Sequence, residues 1–234
     1  MRGPAAVKSG RKSRDLERPV GSSRRVAGGT TKQVGSTKVR IGTWNAGSLK
    51  GRMTELATKA KEYQLNILCV QETKFVCKDA RVIPLNRAGA REDSYKLWLN
   101  GESTSRNGVG IYVDQALKKG VFDVQRAGDR LIMVKILLGG TILNVITAYA
   151  PQERSPKDEQ TSFWEALEGL VRSVPLNEKL FIGGDLNGHV GSDCAPREER
   201  VHRRLGYGTR NHPGEIIMDF AVSADLAVTN AFFT

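Results

Sequence analysis

Cysteine is scarce in this chain of 234 residues, and its placement argues against two ways of stabilising a small domain. Cys69, Cys77 and Cys194 are odd in number and form no C-x-x-C pair. They also show no zinc-ligand spacing with the three histidines. We therefore expect neither a disulfide framework nor a structural zinc site, and we expect a reducing compartment.

Long apolar runs are missing as well. Hydrophobic residues make up 39% of the chain. No stretch approaches the ~20 consecutive apolar residues that a transmembrane helix needs. We therefore expect a soluble protein without a membrane partner, nuclear or cytoplasmic in location. A chain of this length commonly forms one α/β core, so a single domain is expected.

Acidic residues are rare only at the start of the chain. Residues 1–40 hold eleven Lys and Arg against two Asp and Glu, a balance of +9, so the net charge of +11 leaves +2 for the rest. Residues 1–37 have too few large apolar side chains to form a core, which predicts a disordered basic leader. A nuclear-localisation signal, a nucleic-acid-binding arm, an organellar transit peptide and a solvated tail without a role all remain open for it.

The composition of the sequence changes at residue 38, where apolar and β-branched runs begin, and this change predicts one domain over 38–234. Apolar or β-branched runs predict strands at 39–45, 66–72, 108–113, 130–137, 141–149, 179–187 and 226–230. Gly139-Gly140 predicts a hairpin. Helical spacing predicts helices over 49–63 and 214–225, and a third that Ser155 caps and Pro156 begins. This mixture favours an α/β fold with two mixed sheets flanked by helices over a doubly wound parallel sheet.

Four of the predicted strands end in polar residues that can bind a metal or a phosphate: Asn45, Glu72, Tyr149 and the pair Asp185 and Asn187. Because side chains alternate along a strand, the last two should project to the same side. Carboxylates and amides that meet at one sheet edge suit Mg²⁺-assisted phosphodiester hydrolysis. Taken singly, the carboxylates could be solvated strand ends, the asparagines turns, and the tyrosine a core residue.

Four motifs carry a family resemblance: Gly-Thr-Trp-Asn45, Val-Gln-Glu72-Thr-Lys, Ala-Tyr149-Ala-Pro and Gly-Gly-Asp185-Leu-Asn187-Gly. Together they resemble the endonuclease/exonuclease/phosphatase superfamily and, within it, the apurinic/apyrimidinic-like endonuclease of non-LTR retrotransposons. The resemblance covers residues 38 to 234 and implies a four-layer α/β-sandwich.

The resemblance also implies roles for the five polar residues. Asn45 and Glu72 would contribute to binding Mg²⁺, with Mn²⁺ as the alternative. Tyr149 would contact the scissile phosphate, Asp185 would orient the nucleophilic water, and Asn187 would hydrogen-bond the phosphate and the neighbouring carboxylate. The implied partner is DNA, nicked to leave a 3′-hydroxyl, and no obligate protein partner is expected.

One departure from the family pattern lies at the end of the chain. The family continues with further strands and a terminal Ser-Asp-His-like element, so we expect the last strands to be missing and turnover to be impaired. His189, His202 and His212 do not lie in a matching context. Two other functions remain open, a non-catalytic nucleic-acid or protein-binding module and a phosphatase or phosphodiesterase for small phosphoesters.

Overall fold

The structure, a computed structural model, describes residues 5–9, 38–85 and 93–232, with the backbone alone described for 5–9. In these ranges the strands are β1 (Ala5–Ser9), β2 (Ile41–Asn45), β3 (Ile67–Gln71), β4 (Ala80–Pro84), β5 (Ser94–Asn100), β6 (Val109–Asp114), β7 (Val121–Ala127), β8 (Leu131–Leu138), β9 (Thr141–Tyr149), β10 (Lys179–Asp185) and β11 (Leu226–Val228). The α-helices are α1 (Met53–Glu62), α2 (Lys157–Arg172) and α3 (His212–Ser223). Within the described ranges, none of them is both long and apolar enough to cross a bilayer.

Two mixed sheets pack face to face. The six-stranded sheet has the order β11-β1-β10-β9-β8-β7, and the five-stranded sheet has the order β2-β3-β6-β5-β4. Each sheet contains a parallel pair, β9 with β10 and β2 with β3, among antiparallel neighbours. Cys69 and Ile111 from one sheet pack with Val134 and Val145 from the other in the apolar layer between them.

Helices cover the outer face of each sheet. Side chains alternate along each strand, so β3 directs Cys69 to the other sheet and Val70 to a cluster that includes α1. In the same way β8 directs Val134 inward and Met133 to a cluster that includes α2 and α3. The layers therefore run helix, sheet, sheet, helix, which confirms the predicted four-layer α/β fold with two mixed sheets.

The pairing of the strands brings four carboxyl ends close together. In the parallel pair β2 and β3, Asn45 lies opposite Gln71, and Glu72 follows directly. In the parallel pair β9 and β10, Tyr149 lies opposite Asp185. Strand β10 packs against β2 and β3 across the interface between the sheets. Gly183 permits this approach, because a Cβ at that position would lie only 2.8 Å from the Cys69 sulfur.

Several local features differ from the sequence-based expectations. Strands β4, β5 and β7 were not predicted, although β5 is mostly buried. The predicted cap of α2 is wrong, because Pro156 is the N-cap and no side chain caps the helix. Instead, the Gln160 side chain donates to the carbonyl oxygens of Ser155 and Glu153 and so holds the preceding turn.

The basic leader contains one described element. Ala5–Ser9 forms β1, between β10 and β11, where the composition predicted disorder. The physical reason is that β10 and β11 both offer unpaired backbone groups at that position, and an extended segment satisfies them whatever its composition. The remainder of residues 1–37 lies outside the described ranges, and the predicted domain boundary at residue 38 stays a prediction.

Candidate active site

One amide links two carboxylates that come from different sheets. The Asn45 side-chain nitrogen donates to Glu72 Oε1 at 2.8 Å and to Asp185 Oδ2 at 3.0 Å. Asn45 ends β2 and Glu72 follows β3, whereas Asp185 ends β10 in the other sheet. The predicted convergence of these three residues is therefore what the structure shows.

Glu72 is the more heavily bonded of the two carboxylates. Its Oε2 pairs with Lys74 Nζ at 3.0 Å. Burial alone would raise the pKa of Glu72, but hydrogen bonds from Asn45, Lys74 and Tyr149 outweigh it and lower that pKa below its ordinary value. Glu72 is therefore ionised at neutral pH and places a negative charge at the site.

The backbone around Glu72 is held in an unusual conformation. Glu72 has φ 52° and Lys74 has φ 45°, in the left-handed region that residues with a side chain seldom adopt. Two backbone hydrogen bonds hold the segment in place: Leu49 N donates to Thr73 O, and Thr73 N donates to Gly108 O. Such conformations cost free energy and occur often at functional sites, where they aim a side chain.

Tyr149 lies next to the carboxylates and is nearly buried. Burial and the charges of Glu72 and Asp185 raise its pKa to about 12, so the phenol is a neutral hydrogen-bond donor at physiological pH. The Arg130 guanidinium lies 5.2 Å from the ring centre and also pairs with Glu159. These contacts orient the ring at the edge of the site.

Asn187 reaches the site by a different geometry from the predicted one. Strand β10 ends at Asp185, so Asn187 lies beyond the strand and has φ 50°. The prediction that the alternation of side chains along one strand directs both residues is therefore wrong. Its backbone N–H donates to Asp185 Oδ1 at 3.0 Å, and its side-chain nitrogen donates to Ala150 O at 2.7 Å. Asn187 therefore helps to hold Asp185 and keeps its second amide N–H available.

Two cavities flank the segment that runs from Asp185 to His189. The first has a volume of ≈ 390 Å³ and is lined by Gln152, Glu153, Arg154, Asp185, Asn187, Gly188, His189 and Asn211. The second, of ≈ 320 Å³, shares Asp185, Asn187 and His189 and continues to Tyr207 and Asn230. Of the three histidines, His189 is the one that lines these two cavities, whereas His202 is buried in the following loop and His212 begins α3.

The residues gathered here suit a hard cation. Within the described ranges, no group of three or more His, Cys, Asp or Glu side chains is placed to hold a metal ion. Mg²⁺ does not need such a group, because one or two carboxylates, water and a substrate phosphate complete its shell. The side-chain Oδ1 of Asn45 accepts from Gly47 N at 3.0 Å, and its side-chain nitrogen donates to the two carboxylates. The assignment of Asn45 as a metal ligand therefore stays a prediction.

Lys74 and Arg130 also contact the site, although neither was among the predicted site residues. Lys74 lies inside the Gln-Glu-Thr-Lys motif, so its distance of two residues from Glu72 was a signal that could have been used. The pairing of β8 with β9 brings Arg130 to Tyr149, where its Nη1 donates to Tyr149 O at 3.2 Å and its guanidinium lies over the ring. No local pattern of the sequence indicates that contact.

The sequence of this chain is similar to those of known proteins. The endonuclease/exonuclease/phosphatase family model matches residues 42–196, about two thirds of the chain. Over 194 residues the chain is 29% identical to craniofacial development protein 2 of Bos taurus, a match that covers 82% of this chain and 31% of that protein. The chain thus spans about a third of the length of that relative.

Two solved structures share the fold. An AP endonuclease from Archaeoglobus fulgidus is similar with a TM-score of 0.54 and 23% identity, over 80% of this chain and 70% of that chain. The endonuclease domain of TRAS1, a telomere-specific non-LTR retrotransposon, is similar with a TM-score of 0.51 and 14% identity, over 80% of this chain and 72% of that chain. At these identities the likeness is one of fold.

Proposed function

Because the chain belongs to the endonuclease/exonuclease/phosphatase family, we propose that it is a phosphodiesterase that nicks DNA with the help of a divalent cation. The single observation that carries the proposal is the Asn45 amide that holds Glu72 and Asp185 together from two different sheets. Solvated strand ends would have no reason to converge in this way. Two ionised carboxylates repel each other at short range, and a shared cation relieves that repulsion.

The two carboxylates share one task in this proposal, and Asp185 has a second. Glu72 and Asp185 would hold the cation, which when bound polarises the phosphate and neutralises the charge that develops on it. Both Asp185 oxygens are already fixed, one by the Asn187 backbone and one by the Asn45 side chain. A carboxylate held this rigidly can orient a water molecule and accept its proton.

Tyr149 and Asn187 would act on the phosphate itself. The phenol of Tyr149 stays protonated, because its pKa is raised to about 12. It donates to Glu72 in this structure and could turn to a phosphate oxygen instead. Asn187 lines the same cavities as Asp185, and its second amide N–H would donate to the phosphate. Fixed donors of this kind stabilise a charge that grows during the reaction without reorganising around it.

DNA is the substrate that we propose on the grounds of charge and family resemblance. The leader carries most of the net positive charge, and Lys74 and Arg154 lie at the site and its cavity. Cationic groups around a cleft raise the local concentration of a polyanion and its rate of association. Mg²⁺ is the expected cation, and Mn²⁺ should substitute for it.

The experiment is a nicking assay on supercoiled plasmid with purified full-length protein. Open circles should form with Mg²⁺ and not with EDTA. Glu72→Gln and Asp185→Asn should each slow nicking roughly 100-fold or more, because each removes a charge that acts at the reacting phosphate. Glu165→Gln is the matched control, since Glu165 is an exposed carboxylate on α2, and it should nick at the normal rate.

Two results would contradict the proposal. DNA binding without nicking, unchanged by either substitution, would show a non-catalytic nucleic-acid-binding module. Hydrolysis of a small phosphoester such as bis-p-nitrophenyl phosphate, without any nicking of plasmid or of single-stranded DNA, would show that the site serves small molecules. In the second case the two substitutions would still abolish activity, so the substrate and the site are tested separately.

A further inference from the structure

The loop of residues 188–211, which follows the candidate site, is held rigidly by buried polar contacts. Glu198 and Arg210 form a two-pronged ion pair with distances of 2.7 and 2.8 Å, and their side chains are only 2% and 16% exposed. The buried His202 accepts from Arg204 N through Nδ1, so its Nε2 carries the proton and donates to Gly191 O at 3.0 Å. These buried contacts therefore fix the conformation of the loop next to the candidate site.

Tyr207 lies at the exposed end of this rigid loop. It is 92% exposed, the most exposed of the large hydrophobic side chains in the described ranges. The adjacent Gly206 packs directly on the other arm of the loop, where an added Cβ would lie 1.9 Å from Gly191 O. Tyr207 nevertheless lines the ≈ 320 Å³ cavity that Asp185 and Asn187 also line. An exposed tyrosine thus lies on the cavity that the candidate active-site residues Asp185 and Asn187 also line.

Two exposed arginines of the same loop, three and four residues before Tyr207 in the sequence, lack an acidic partner. Arg197 and Arg200 form ion pairs with Asp219 and Asp225. In contrast, no carboxylate of the described ranges lies within ion-pairing distance of Arg203 or Arg204. The Arg203 guanidinium lies 4.5 Å from the ring centre of Phe232, and Arg204 donates to Cys194 O. These two positive charges are therefore available to an anion.

We propose that Tyr207, Arg203 and Arg204 form a binding surface for single-stranded nucleic acid, on which Tyr207 stacks against one unpaired base. An exposed aromatic ring with adjacent cations is the usual arrangement for binding bases through their faces and the backbone through its phosphates. The inference rests on the proposed function, because it names the form of the substrate that this site accepts. Duplex DNA fits the surface less well, since its bases are already stacked on each other.

The size of the cavity agrees with one base. Pockets that bind small ligands begin at about 300 Å³, and the cavity beside Tyr207 has ≈ 320 Å³. A base stacked there would place its own phosphate close to Asp185, which lines the same cavity. The substrate expected from this geometry is a strand with at least one unpaired nucleotide next to the phosphate that is cleaved.

The test measures binding without turnover. Fluorescence anisotropy in EDTA gives the Kd of a labelled 12-nucleotide single strand for the full-length protein. Tyr207→Ala should weaken binding about 5- to 150-fold, the range for loss of one stacked base, whereas Tyr207→Phe should bind normally. Tyr63→Ala is the matched control, because Tyr63 is also an exposed tyrosine but lies at the end of α1, and it should bind normally too.

The salt dependence tests the arginines separately. For single strands the slope of log K against log salt changes by about 0.7 for each phosphate contact. Arg203→Gln and Arg204→Gln should each reduce that slope by about 0.7, and Arg200→Gln should leave it unchanged. Photocrosslinking of a 5-iodouracil-containing strand should label Tyr207, which mass spectrometry of the digested protein would identify.

The outcomes separate this inference from the proposed function. Equal affinity of wild type and Tyr207→Ala, with crosslinks elsewhere, would overturn the inference even if plasmid nicking depends on Glu72 and Asp185. Tyr207-dependent binding in a protein that never nicks DNA would support the binding surface and overturn the proposed catalysis. Circular dichroism of each variant shows whether it is folded, and the exposure of Tyr207 makes unfolding an unexpected result.

Discussion

Replacing Asn45 with alanine tests the assembly of the candidate site, because its amide touches both carboxylates. The substitution removes the hydrogen bonds to Glu72 at 2.8 Å and to Asp185 at 3.0 Å. It also removes the acceptor of the Gly47 backbone N–H. The two carboxylates then face each other without a shared donor. Both the stability of the protein without a cation and the rise in Tm on adding a cation should therefore change.

The expected loss of stability follows from these contacts. A hydrogen bond to a charged group contributes about 1.5–3 kcal/mol, and a partly exposed site takes the lower end of that range. Two such bonds give about 3 kcal/mol. For a domain of 150–250 residues each kcal/mol shifts Tm by about 2–4 °C. Asn45→Ala should therefore melt about 6–12 °C below the wild type at pH 7.5.

The difference should depend on pH in a defined direction. The pKa of Glu72 is lower in the folded protein than its ordinary value, so the ionised form is the one stabilised. That contribution is fully present above the unfolded pKa of about 4.3 and is lost as the pH falls through the folded pKa. The gap in Tm between wild type and variant should stay constant from pH 7.5 to about 5.5 and narrow below pH 4.

Asn66 provides the matched control, because its side chain also donates to a carboxylate, Asp114, at 2.6 Å. It precedes β3, at the end of that strand opposite to Glu72. Asn66→Ala should lower Tm at every cation concentration and keep the wild-type rise in Tm on addition of Mn²⁺ or Mg²⁺. Asn45→Ala should lose most of that rise. The reasoning fails if differential scanning fluorimetry gives both variants the same rise as the wild type.

Three further predictions concern the scaffold. Gly184→Ala should destabilise the fold by roughly 3 kcal/mol or more, because its Cβ would lie 2.3 Å from Ala148 O. In contrast, an added Cβ at Gly169 in α2 meets no atom, so Gly169→Ala should stabilise the fold by up to about 1 kcal/mol. Urea unfolding measures both variants, and equal midpoints would contradict the packing argument. Glu198→Gln should cost roughly 3–5 kcal/mol by leaving the Arg210 charge buried without its partner, and an unchanged urea midpoint would show that the loop does not need the pair. Removal of residues 1–10 should cost at least about 2 kcal/mol, from two or more net backbone hydrogen bonds at about 1 kcal/mol each, because β10 and β11 lose the strand between them; an unchanged Tm would show that β1 adds nothing.

Local patterns in the sequence predicted much of the fold and the identity of the site residues. Strand β3 is apolar at nearly every position because it is buried on both faces, and a run of that kind is visible without neighbours. The hairpin at Gly139 and Gly140 was predictable too, since both residues have positive φ, 54° and 86°, which favours glycine. The polar ends of the strands stood out for the same local reason.

Other elements carry no such signal. Strand β7 is mostly half-buried, and its side chains do not alternate cleanly between apolar and polar. Strand β1 lies in a segment whose composition predicts disorder, and only its two neighbours in the sheet make it a strand. Edges and partners that are distant in sequence decide such cases, because propensity in β-sheets depends on context.

The sequence by itself determined which residues have the right chemistry: oxygen-bearing side chains placed where apolar strands end. Only the tertiary structure decided how they meet. It brought Asn45 within reach of a carboxylate from the opposite sheet, turned Asn187 back onto Ala150, and placed Tyr207 on the same cavity as Asp185. The physical reason is that a side chain's type and spacing are local properties, whereas distances across two packed sheets depend on every contact in the core between them.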